Sequence, residues 1–254
     1  MPQVRTVRLS VNVNKVATLR NARGGTKPDV VEAAMTAIEA GCHGITVHPR
    51  PDERHIRRQD VLDLETALPE EIEFNIEGFP SSDWLRLVES VRPTQATLVP
   101  DAPDVLTSNA GWRFAQVDRP WLAEIVARLK SCGCRVSLFL DPNPAEVQPA
   151  AETGADRVEL YTEAYARSFS TPEREATFGP YAAAARAAVA AGLGVNAGHD
   201  LNLDNLAWLV SRLPGLQEVS IGHALISDAL YVGLRRAVQA YLGEIEKGLA
   251  QTPS

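Results

Sequence analysis

The hydrophobic residues of this chain fall into short runs that recur at a regular interval. In each repeat a helical pattern of apolar residues ends at glycine or proline, and a run rich in valine, isoleucine and leucine follows within a few residues. Glycine at such a junction is typical of a helix C-cap. Clear copies of the junction are AGCHGITVHP (40–49), CGCRVSLFLD (132–141), TGADRVELYT (153–162), AGLGVNAGHD (191–200) and PGLQEVSIGHA (214–224).

Extending this pattern along the chain predicts eight β-strands. Their bounds are Val7–Val13, Gly44–His48, Glu73–Glu77, Gln95–Val99, Arg135–Leu140, Arg157–Tyr161, Gly194–Asn196 and Glu218–Ile221. Helical patterns lie between them, the clearest at Asp29–Ala40, Asp83–Val91, Trp121–Ser131, Tyr181–Ala191, Asp204–Leu213 and Ser227–Glu246. Strands that alternate with helices of this length form parallel βαβ units. Eight units in about 250 residues predict an α/β fold, a single (β/α)₈ TIM barrel domain over residues 1–254 with additional short helices, and an open doubly wound sheet is the alternative.

Alternate positions of the predicted strands differ in polarity. Successive side chains point to opposite faces, so in a barrel one set faces the helices and the other faces the barrel axis. The apolar set, which includes Leu9, Val11, Ile45 and Val47, is expected to face the helices. The set that then faces the axis is Ser10, Asn12, Asn14, Thr46, His48, Asn75, Glu77, Thr97, Ser137, Asp141, Glu159, Asn196, Ser220 and Gly222.

The predicted lumen is therefore polar, whereas most barrel interiors are filled with valine, isoleucine and leucine. Buried amides and carboxylates without partners are strongly unfavourable, so these side chains must satisfy one another or bind a polar ligand. Many of them lie near the C-terminal ends of the strands, where barrel enzymes place their active sites. We expect a ligand site at that end.

Two predicted loops at this end of the barrel are rich in cations. HPRPDERHI, after the second strand, contains His48, Arg50, Arg54 and His55. NVNKVATLRNARGG, after the first strand, contains Lys15, Arg20 and Arg23 without an acidic residue, and Lys27 follows it. Imidazole beside guanidinium suits proton transfer next to a bound anion, so the loops predict an anionic substrate. Solvated charged loops are the alternative.

Carboxyl groups stand at three predicted strand ends. Glu77 ends the third strand in the motif NIEG, Glu159 lies on the sixth strand, and Asp141 follows the fifth. A desolvated carboxylate has a raised pKa and can act as a general base. For Glu77 the alternative is a salt bridge to a loop arginine.

Strands seven and eight each end in Gly-His, in the motifs NAGHD and SIGHA. Loops after these two strands often hold phosphate in barrels, through backbone N–H groups and a helix N-terminus. Gly198 and Gly222 keep those amides accessible. His199 and His223 are therefore candidates for ligand binding or for acid/base chemistry.

Composition and charge exclude several classes of protein. With 45% hydrophobic and 22% charged residues the chain is typical of a soluble globular protein, and its net charge of -7 disfavours a nucleic-acid partner. Cys42, Cys132 and Cys134 are too few for a disulfide framework, which favours the cytoplasm. The absence of a signal-peptide pattern and of an apolar run of about 18 residues predicts neither export nor a membrane partner.

Several chemical motifs are absent from the chain. It has neither the GxGxxG nor the GxxxxGK[ST] nucleotide loop. None of its lysines lies in a predicted strand, where a Schiff-base lysine of a barrel would stand. The close His-x-His pair of barrel metal hydrolases is also missing.

Taken in order, these motifs resemble those of the pyridoxine 5′-phosphate synthase family, which closes the ring of vitamin B6. The resemblance covers nearly the whole chain and rests on SVNVNKVATLRNARGG, GITVHPRPDERHI, FNIEG, TLVPD, TSNAGW, RVSLFLD, RVELYTEAYA, VNAGHDLNLDN and VSIGHALISDAL. It implies a (β/α)₈ barrel with extra helices that forms homo-oligomers, commonly octamers. It also implies a transferase that condenses 3-amino-2-oxopropyl phosphate with 1-deoxy-D-xylulose 5-phosphate, giving pyridoxine 5′-phosphate, inorganic phosphate and water without a metal or organic cofactor.

The resemblance further implies roles for individual residues. His48 and Glu77 correspond to acid/base residues, and His199 corresponds to a proton donor. Glu159 is similar to a glutamate that stabilises developing positive charge. The implied substrate-binding positions are Asn12, Asn14, Lys15, Arg23, Arg50, His55, Thr107, Asp200, Gly222 and His223.

The chain departs from the better-known branch of that family at two places. Asn14 and Lys15 stand where that branch has Asp-His, and Asp200 stands where it has glycine. An amide replaces a carboxylate and a fixed cation replaces an imidazole, so the contacts to the pentulose phosphate are expected to differ. A second branch carries the Asn-Lys form, and we expect activity to be retained.

Two other functions are compatible with the same residues. A metal-dependent sugar-phosphate epimerase or isomerase would use Asp141, Glu159 and His199 as ligands. A barrel that only binds a phosphorylated metabolite is the non-catalytic alternative, which the number of groups suited to proton transfer disfavours. Reactive intermediates need protection from water, so we also expect a lid, formed by residues 101–118.

Overall fold

The computed structural model describes residues 6–100 and 110–252, and its parallel strands close into a barrel. The strands are β1 Arg8–Asn12, β2 Gly44–Val47, β3 Glu73–Gly78, β4 Gln95–Leu98, β5 Arg135–Leu140, β6 Arg157–Tyr161, β7 Gly194–Gly198 and β8 Leu216–Ile221. Each strand pairs with its neighbours in chain order, and β8 pairs with β1. The predicted TIM barrel is confirmed and the open-sheet alternative is wrong. The assignment of residues 1–254 to one domain stays a prediction.

Helices surround this barrel. They are α1 Asn14–Asn21, α2 Val30–Glu39, α3 Arg58–Ala67, α4 Ser82–Val91, α5 Arg119–Ser131, α6 Pro144–Glu152, α7 Glu163–Ser168, α8 Arg174–Ala190, α9 Leu206–Arg212, α10 His223–Val232 and α11 Leu234–Ala250. Side-chain oxygens of Asp29, Ser81, Asp118 and Asn143 accept a backbone N–H at the start of α2, α4, α5 and α6. These caps satisfy backbone donors that lack a partner inside the helix. Within the two described ranges no helix is long and apolar enough to cross a membrane.

The structure differs from the predicted helices in three ways. The predicted helix Ser227–Glu246 is two helices, because Gly233 between them has a φ of +84° and turns the chain. Helix α1 forms where a loop of cations was predicted, and α3, α6 and α7 were not predicted. Helix α7, with six residues, carries too few turns for an apolar period to stand out from the sequence.

The apolar set of strand positions faces the helices, as predicted. Leu9, Val11, Ile45 and Val47 are fully buried, and they belong to one continuous hydrophobic core between the sheet and the surrounding helices. Burial of large aliphatic side chains is the main favourable contribution to such a fold. This layer fixes the register of the strands and therefore the direction of the remaining side chains.

The middle of the lumen is a network of short polar side chains. The hydroxyls of Ser10 and Thr46 lie 2.7 Å apart, and Asn75 donates to Thr46 at 3.3 Å. Thr97 in turn donates to the amide oxygen of Asn75 at 2.9 Å. These groups satisfy one another, so this layer supports the strands rather than binding a ligand.

The N-terminal end of the lumen is closed by ion pairs. Arg135 donates to Glu73 at 2.6 Å, and Arg157 donates to both Glu218 at 3.2 Å and Asn196 at 2.9 Å. Asn196 therefore lies at the closed end and not at the mouth of the barrel. The polar lumen predicted from the sequence is confirmed. Most side chains of its lower two layers bond to one another, although the hydroxyl of Ser137 has no partner among the described residues, and the C-terminal end is left for a ligand.

Candidate active site

A cavity of about 540 Å³ opens at the C-terminal ends of the strands. Most residues that the sequence predicts for the site form its walls: Asn12, Asn14, Lys15, His48, Arg50, His55, Glu77, His199, Asp200, Gly222 and His223. Two others do not, because Arg23 is exposed after α1 and Glu159 is buried beneath the walls. Thr107 lies outside the described residues.

Two asparagines connect the end of β1 to the end of β2. The side chain of Asn12 accepts the backbone N–H of Asn14 at 3.0 Å, and the side chain of Asn14 accepts the backbone N–H of His48 at 2.9 Å. The carbonyl oxygen of the Asn14 amide is therefore engaged in holding His48. An amide serves this purpose as well as a carboxylate, which fits the departure noted at this position.

His48 and Glu77 face each other at the centre of the cavity. The imidazole Nδ1 and a carboxylate oxygen lie 4.0 Å apart, and both side chains are buried. Burial, followed by the charges of Arg50 and its neighbours, holds the pKa of His48 well below its usual range. The pair is thus a neutral imidazole beside a carboxyl group, too far apart for a direct hydrogen bond. A reacting atom placed between them is within reach of both.

The backbone at Glu77 is held by a tryptophan. The indole N–H of Trp84 donates to the carbonyl oxygen of Glu77 at 3.1 Å. The next residue is Gly78, where a Cβ would lie 2.1 Å from that indole nitrogen. A side chain at position 78 would displace the ring, so this glycine is required by the close approach of α4.

A cationic wall lies beside His48. Lys15, Arg50 and Arg54 line it, and Arg54 also pairs with Asp52 at 2.6 Å. Burial, with further contributions from Arg50 and Lys15, lowers the pKa of His55 to about 4. The Nδ1 of His55 accepts the N–H of Ile56 at 2.9 Å, so its neutral ring presents Nε2–H as a donor. This wall suits a phosphate group.

The four cations predicted after the first strand, Lys15, Arg20, Arg23 and Lys27, have different environments. Arg20 is buried in α1 and pairs with Asp60, with Nη2 and Oδ2 2.9 Å apart. Lys27 pairs with Glu32 on the surface. Of the four only Lys15 lines the cavity. Arg20 and Lys27 are therefore held in ion pairs, and Arg23 is exposed after α1. Lys15 is the one of the four that is placed to contact a ligand in the cavity.

His199 stands on a turn directly after β7. Its ring packs against Phe139 and Tyr161, with ring centroids 5.0 and 5.2 Å away. Burial lowers its pKa to about 4, although the carboxylate of Glu163 acts in the opposite direction. His199 is therefore neutral in the resting protein at neutral pH.

Glu159 lies below His199 and Glu77 in the lumen. It is 1% exposed, and neither carboxyl oxygen has a hydrogen-bond partner among residues 6–100 and 110–252. Burial is the main cause of a pKa held well above the usual range, and the carboxyl groups of Glu77 and Glu218 add to the effect. Glu159 is therefore a protonated acid in the resting protein.

Replacing Gly198 with alanine is expected to lower kcat by about 100-fold, because a Cβ there would lie 2.3 Å from Oε1 of Glu159 and displace this carboxyl group. Steady-state kinetics measures the effect. Gly243→Ala is the matched control, since a Cβ at that position in α11 meets nothing within 4 Å. The control should keep kcat and gain about 0.5–1 kcal/mol of stability. Equal kcat values for both variants would contradict the placement of Glu159.

The cavity has an acidic side, of which the sequence analysis named Asp200 but missed Tyr161 and Glu163. Tyr161 lines the cavity and donates to Glu163 at 2.9 Å. Burial and the Glu163 carboxylate raise the pKa of Asp200, whereas His223 lowers it. Tyr161 has the same parity as Glu159 on β6, so the alternation of the strand turns it toward the lumen, and as the last residue of the strand it reaches the rim. This side suits a positively charged group of a ligand.

The junction of β8 and α10 forms another wall. Gly222 precedes the first turn of α10, and a Cβ on it would lie 3.0 Å from the Cβ of Asn12. His223 begins the helix and lines the cavity. Backbone N–H groups at the start of a helix bind anions, so this wall suits a second phosphate group.

Asp141 has a local structural partner. It accepts the N–H of Gly111 at 3.2 Å, and a Cβ on Gly111 would lie 2.2 Å from the backbone nitrogen of Asp141. Within the described ranges no group of three or more His, Cys, Asp and Glu side chains is arranged to hold a metal ion. The set Asp141, Glu159 and His199 is thus not assembled.

The predicted lid, residues 101–118, falls into two parts. Residues 101–109 lie outside the described residues. Trp112 and Phe114 are buried, and the indole of Trp112 donates to the carbonyl oxygen of Leu98 at 2.8 Å. The part from residue 110 onward is therefore packed against the barrel and is not a free lid.

Comparison with known sequences gives a consistent result. The sequence pattern of the family described as "Pyridoxal phosphate biosynthesis protein PdxJ" matches residues 9–247. Pyridoxine 5′-phosphate synthase of Porphyromonas gingivalis is 55% identical, covering 94% of this chain and 98% of that protein. The enzyme of the same name from Xanthomonas oryzae pv. oryzae is 54% identical, covering 93% of this chain and 96% of that protein.

Solved structures share the fold at low sequence identity. A structure described as native KDPGal has a TM-score of 0.61 at 13% identity, covering 98% of this chain and 100% of that chain. Phosphoribosyl anthranilate isomerase from Thermotoga maritima has a TM-score of 0.60 at 12% identity, covering 95% of this chain and 99% of that chain. At this identity the likeness concerns the barrel alone.

Proposed function

The chain belongs to the PdxJ family and is an enzyme of pyridoxine 5′-phosphate synthesis, and from this we propose that its cavity condenses 3-amino-2-oxopropyl phosphate with 1-deoxy-D-xylulose 5-phosphate. One observation carries the proposal. A single cavity of about 540 Å³ brings together two anion-binding walls, neutral imidazoles and a central carboxyl group. Two phosphorylated substrates need two anion-binding walls, and a reaction with several proton transfers needs groups that accept and donate protons.

The two walls suggest where each phosphate binds. The wall with Lys15, Arg50 and His55 would take one phosphate through charge-assisted hydrogen bonds. The N-terminus of α10, with Gly222 and His223, would take the other. Both substrates would then meet at His48 and Glu77, which lie between the walls.

The condensation begins when the amine of one substrate attacks the ketone of the other and forms a Schiff base. His48 and His199 are both neutral, so each can take a proton from the attacking amine and return it to the departing hydroxyl. The family resemblance implies that His199 is a proton donor. With its low pKa it would donate after first accepting a proton, and so would act as a relay.

Carbon chemistry follows at the centre of the cavity. Glu77 would remove a proton from carbon, and the electron pair of that C–H bond would form the double bond of an enamine. Inorganic phosphate would then leave with the electron pair of its C–O bond. Addition of one molecule of water, ring closure and the loss of two further molecules of water then give the aromatic product. The atoms balance as one phosphate and two molecules of water released for each ring formed. Glu159 would lose its proton as cationic intermediates form above it and so stabilise their charge.

Asp200→Asn is expected to raise KM for the aminoketone substrate by up to about 5-fold, since one exposed charge pair contributes about 1 kcal/mol or less. The carboxyl group of Asp200 lines the cavity opposite the cationic wall and would bind the substrate ammonium group. KM for the pentulose phosphate, measured in the same assays, should stay within about 2-fold. An equal rise in both KM values would contradict this assignment.

We also propose that the protein forms homo-oligomers. Leu230 and Tyr231 at the end of α10 are 71% and 89% exposed, and Leu19 on the neighbouring α1 is exposed as well. Such an apolar surface is typical of a contact between protein copies. Tyr231→Asp should shift the molar mass measured by light scattering toward the monomer, whereas Val189→Asp on α8 should not. An unchanged mass for Tyr231→Asp would place the contact elsewhere.

The reaction is tested by mixing the protein with both substrates in excess EDTA and following inorganic phosphate and pyridoxine 5′-phosphate together. The proposal predicts equal molar amounts of both products, and neither product when one substrate is omitted. Phosphate without the ring product would mean that elimination occurs but closure fails. Absence of both products, with turnover of a single sugar phosphate on adding a divalent metal, would favour the epimerase instead.

A further inference from the structure

The turn that carries His199 has an unusual backbone. His199 and Asp200 are consecutive residues with φ values of +75° and +58°. Residues with a side chain adopt this left-handed region infrequently, and two in succession persist only when surrounding contacts hold them. The direction of the His199 ring therefore depends on what fixes the turn.

Thr162 makes the closest of these contacts. It directly follows β6 and is fully buried. Its N–H donates to the carbonyl oxygen of Gly198 at 3.0 Å, and its hydroxyl lies 2.7 Å from the same oxygen. The hydroxyl also contacts the carbonyl oxygen of His199. One hydroxyl proton thus serves two successive carbonyls, those of the peptide bonds before and after His199.

Asn205 holds the other end of the turn. Its side-chain N–H donates to the carbonyl oxygen of Asp200 at 3.3 Å, and its side-chain oxygen accepts the N–H of Asn202 at 2.9 Å. The phenol of the fully buried Tyr165 donates to the backbone carbonyl of Asn205 at 2.7 Å. This end is therefore fixed to the core independently of Thr162.

We propose that Thr162 is a positioning residue whose hydroxyl fixes the His199 carbonyl and thereby keeps the imidazole between Phe139 and Tyr161, facing the substrates. Thr162 does not line the cavity, so it acts only through the turn. The inference rests on the proposed function in so far as His199 moves protons there. The backbone N–H of Thr162 would remain with any replacement, which makes its hydroxyl the group to test.

Thr162→Val removes the hydroxyl and keeps the shape of the side chain. We expect kcat to fall about 10-fold, with both KM values within about 2-fold, and Thr162→Ser to restore most of the loss. Nuclear magnetic resonance of the histidine rings supplies a readout independent of turnover. Because the ring gains water when the turn relaxes, its pKa should rise from about 4 toward the usual value in Thr162→Val and not in Thr162→Ser.

Thr153→Val is the matched control. Thr153 is also buried, and its hydroxyl donates to the carbonyl oxygen of Ala150 at 2.7 Å, at the end of α6. Its loss should lower thermal stability but leave kcat and the His199 titration unchanged. Should Thr162→Val fail to fold, Thr162→Ala removes the same hydroxyl, and kcat, both KM values and the titration of the His199 ring are measured on that variant instead.

The variant His199→Asn identifies the resonance of the His199 ring, because that signal disappears. It also separates the role of His199 in proton transfer from the positioning role of Thr162. If this variant keeps full turnover, His199 has no part in the reaction, and the ring titration alone then decides whether Thr162 positions it. If His199→Asn loses turnover while Thr162→Val changes neither kcat nor the titration, the positioning role is overturned. A shifted titration that serine restores supports it in either case.

Discussion

Replacing Glu77 with glutamine is expected to lower kcat by about 1,000-fold, the size typical of a lost general base. Glutamine keeps the volume of the side chain and cannot accept a proton from carbon. Glu77 lies at the meeting point of the two anion-binding walls, 4.0 Å from His48, with its backbone held by Trp84. The binding of inorganic phosphate should be unaffected, because neither wall includes the Glu77 carboxyl group.

Single-turnover measurement of phosphate release tests the prediction, and calorimetry tests phosphate binding. Glu71→Gln, an exposed carboxylate just before β3, is the control for the loss of one negative charge. Turnover close to that of the unmodified protein in Glu77→Gln would remove Glu77 from the role of base. Loss of phosphate binding as well would mean that the substitution disturbs the walls.

Glu159→Gln is expected to lower kcat by about 100-fold and yet to stabilise the protein at high pH. The kinetic loss follows because a neutral amide cannot become an anion when cationic intermediates form above it. The folded-state pKa of Glu159 is raised above the unfolded value of 4.5, so the protein loses stability as pH rises from that value toward the folded pKa. Glutamine has no such loss, and its advantage should grow with pH by up to about 1.4 kcal/mol per unit.

Urea unfolding at pH 5 and pH 8, for the unmodified protein and for Glu159→Gln, measures this difference. The account predicts a larger free-energy advantage for the variant at pH 8 than at pH 5. If the variant were more stable by the same free energy at both pH values, the carboxyl group of Glu159 would have the same protonation state in the folded and the unfolded protein. The role assigned to it here would then be wrong.

The barrel and the mouth of the site follow from local sequence because both depend on short-range order. Strand side chains alternate with a period of two residues, so the apolar positions of β1 and β2 fix which side chains face the lumen. In a parallel barrel every strand ends at the same face, which brings Asn12, His48 and Glu77 together although they lie far apart in the chain. The grouping of these three residues therefore follows without any knowledge of the contacts between distant segments.

Features that depend on contacts between distant segments could not be predicted in the same way. The Arg20–Asp60 pair joins α1 to α3, and nothing near Arg20 in the chain distinguishes it from the ligand-facing Lys15. The ion pairs of Arg157 with Glu218 likewise join β6 to β8. The close approach of Gly198 to Glu159 and the contact of Thr162 with the His199 turn arise from the pairing of β6 with β7. A glycine or threonine at such a place has no distinctive sequence pattern.

The central claim is that both phosphorylated substrates bind in the cavity around His48 and Glu77. A crystal structure of the Glu77→Gln variant soaked with both substrates tests it most directly, since the blocked proton removal holds them in place. The account predicts one phosphate beside Arg50 and His55, the other at the start of α10, and carbon atoms between His48 and residue 77. Substrate bound instead in the neighbouring cavity of about 390 Å³, lined by Phe79 and Trp84, with the first cavity empty, would contradict it.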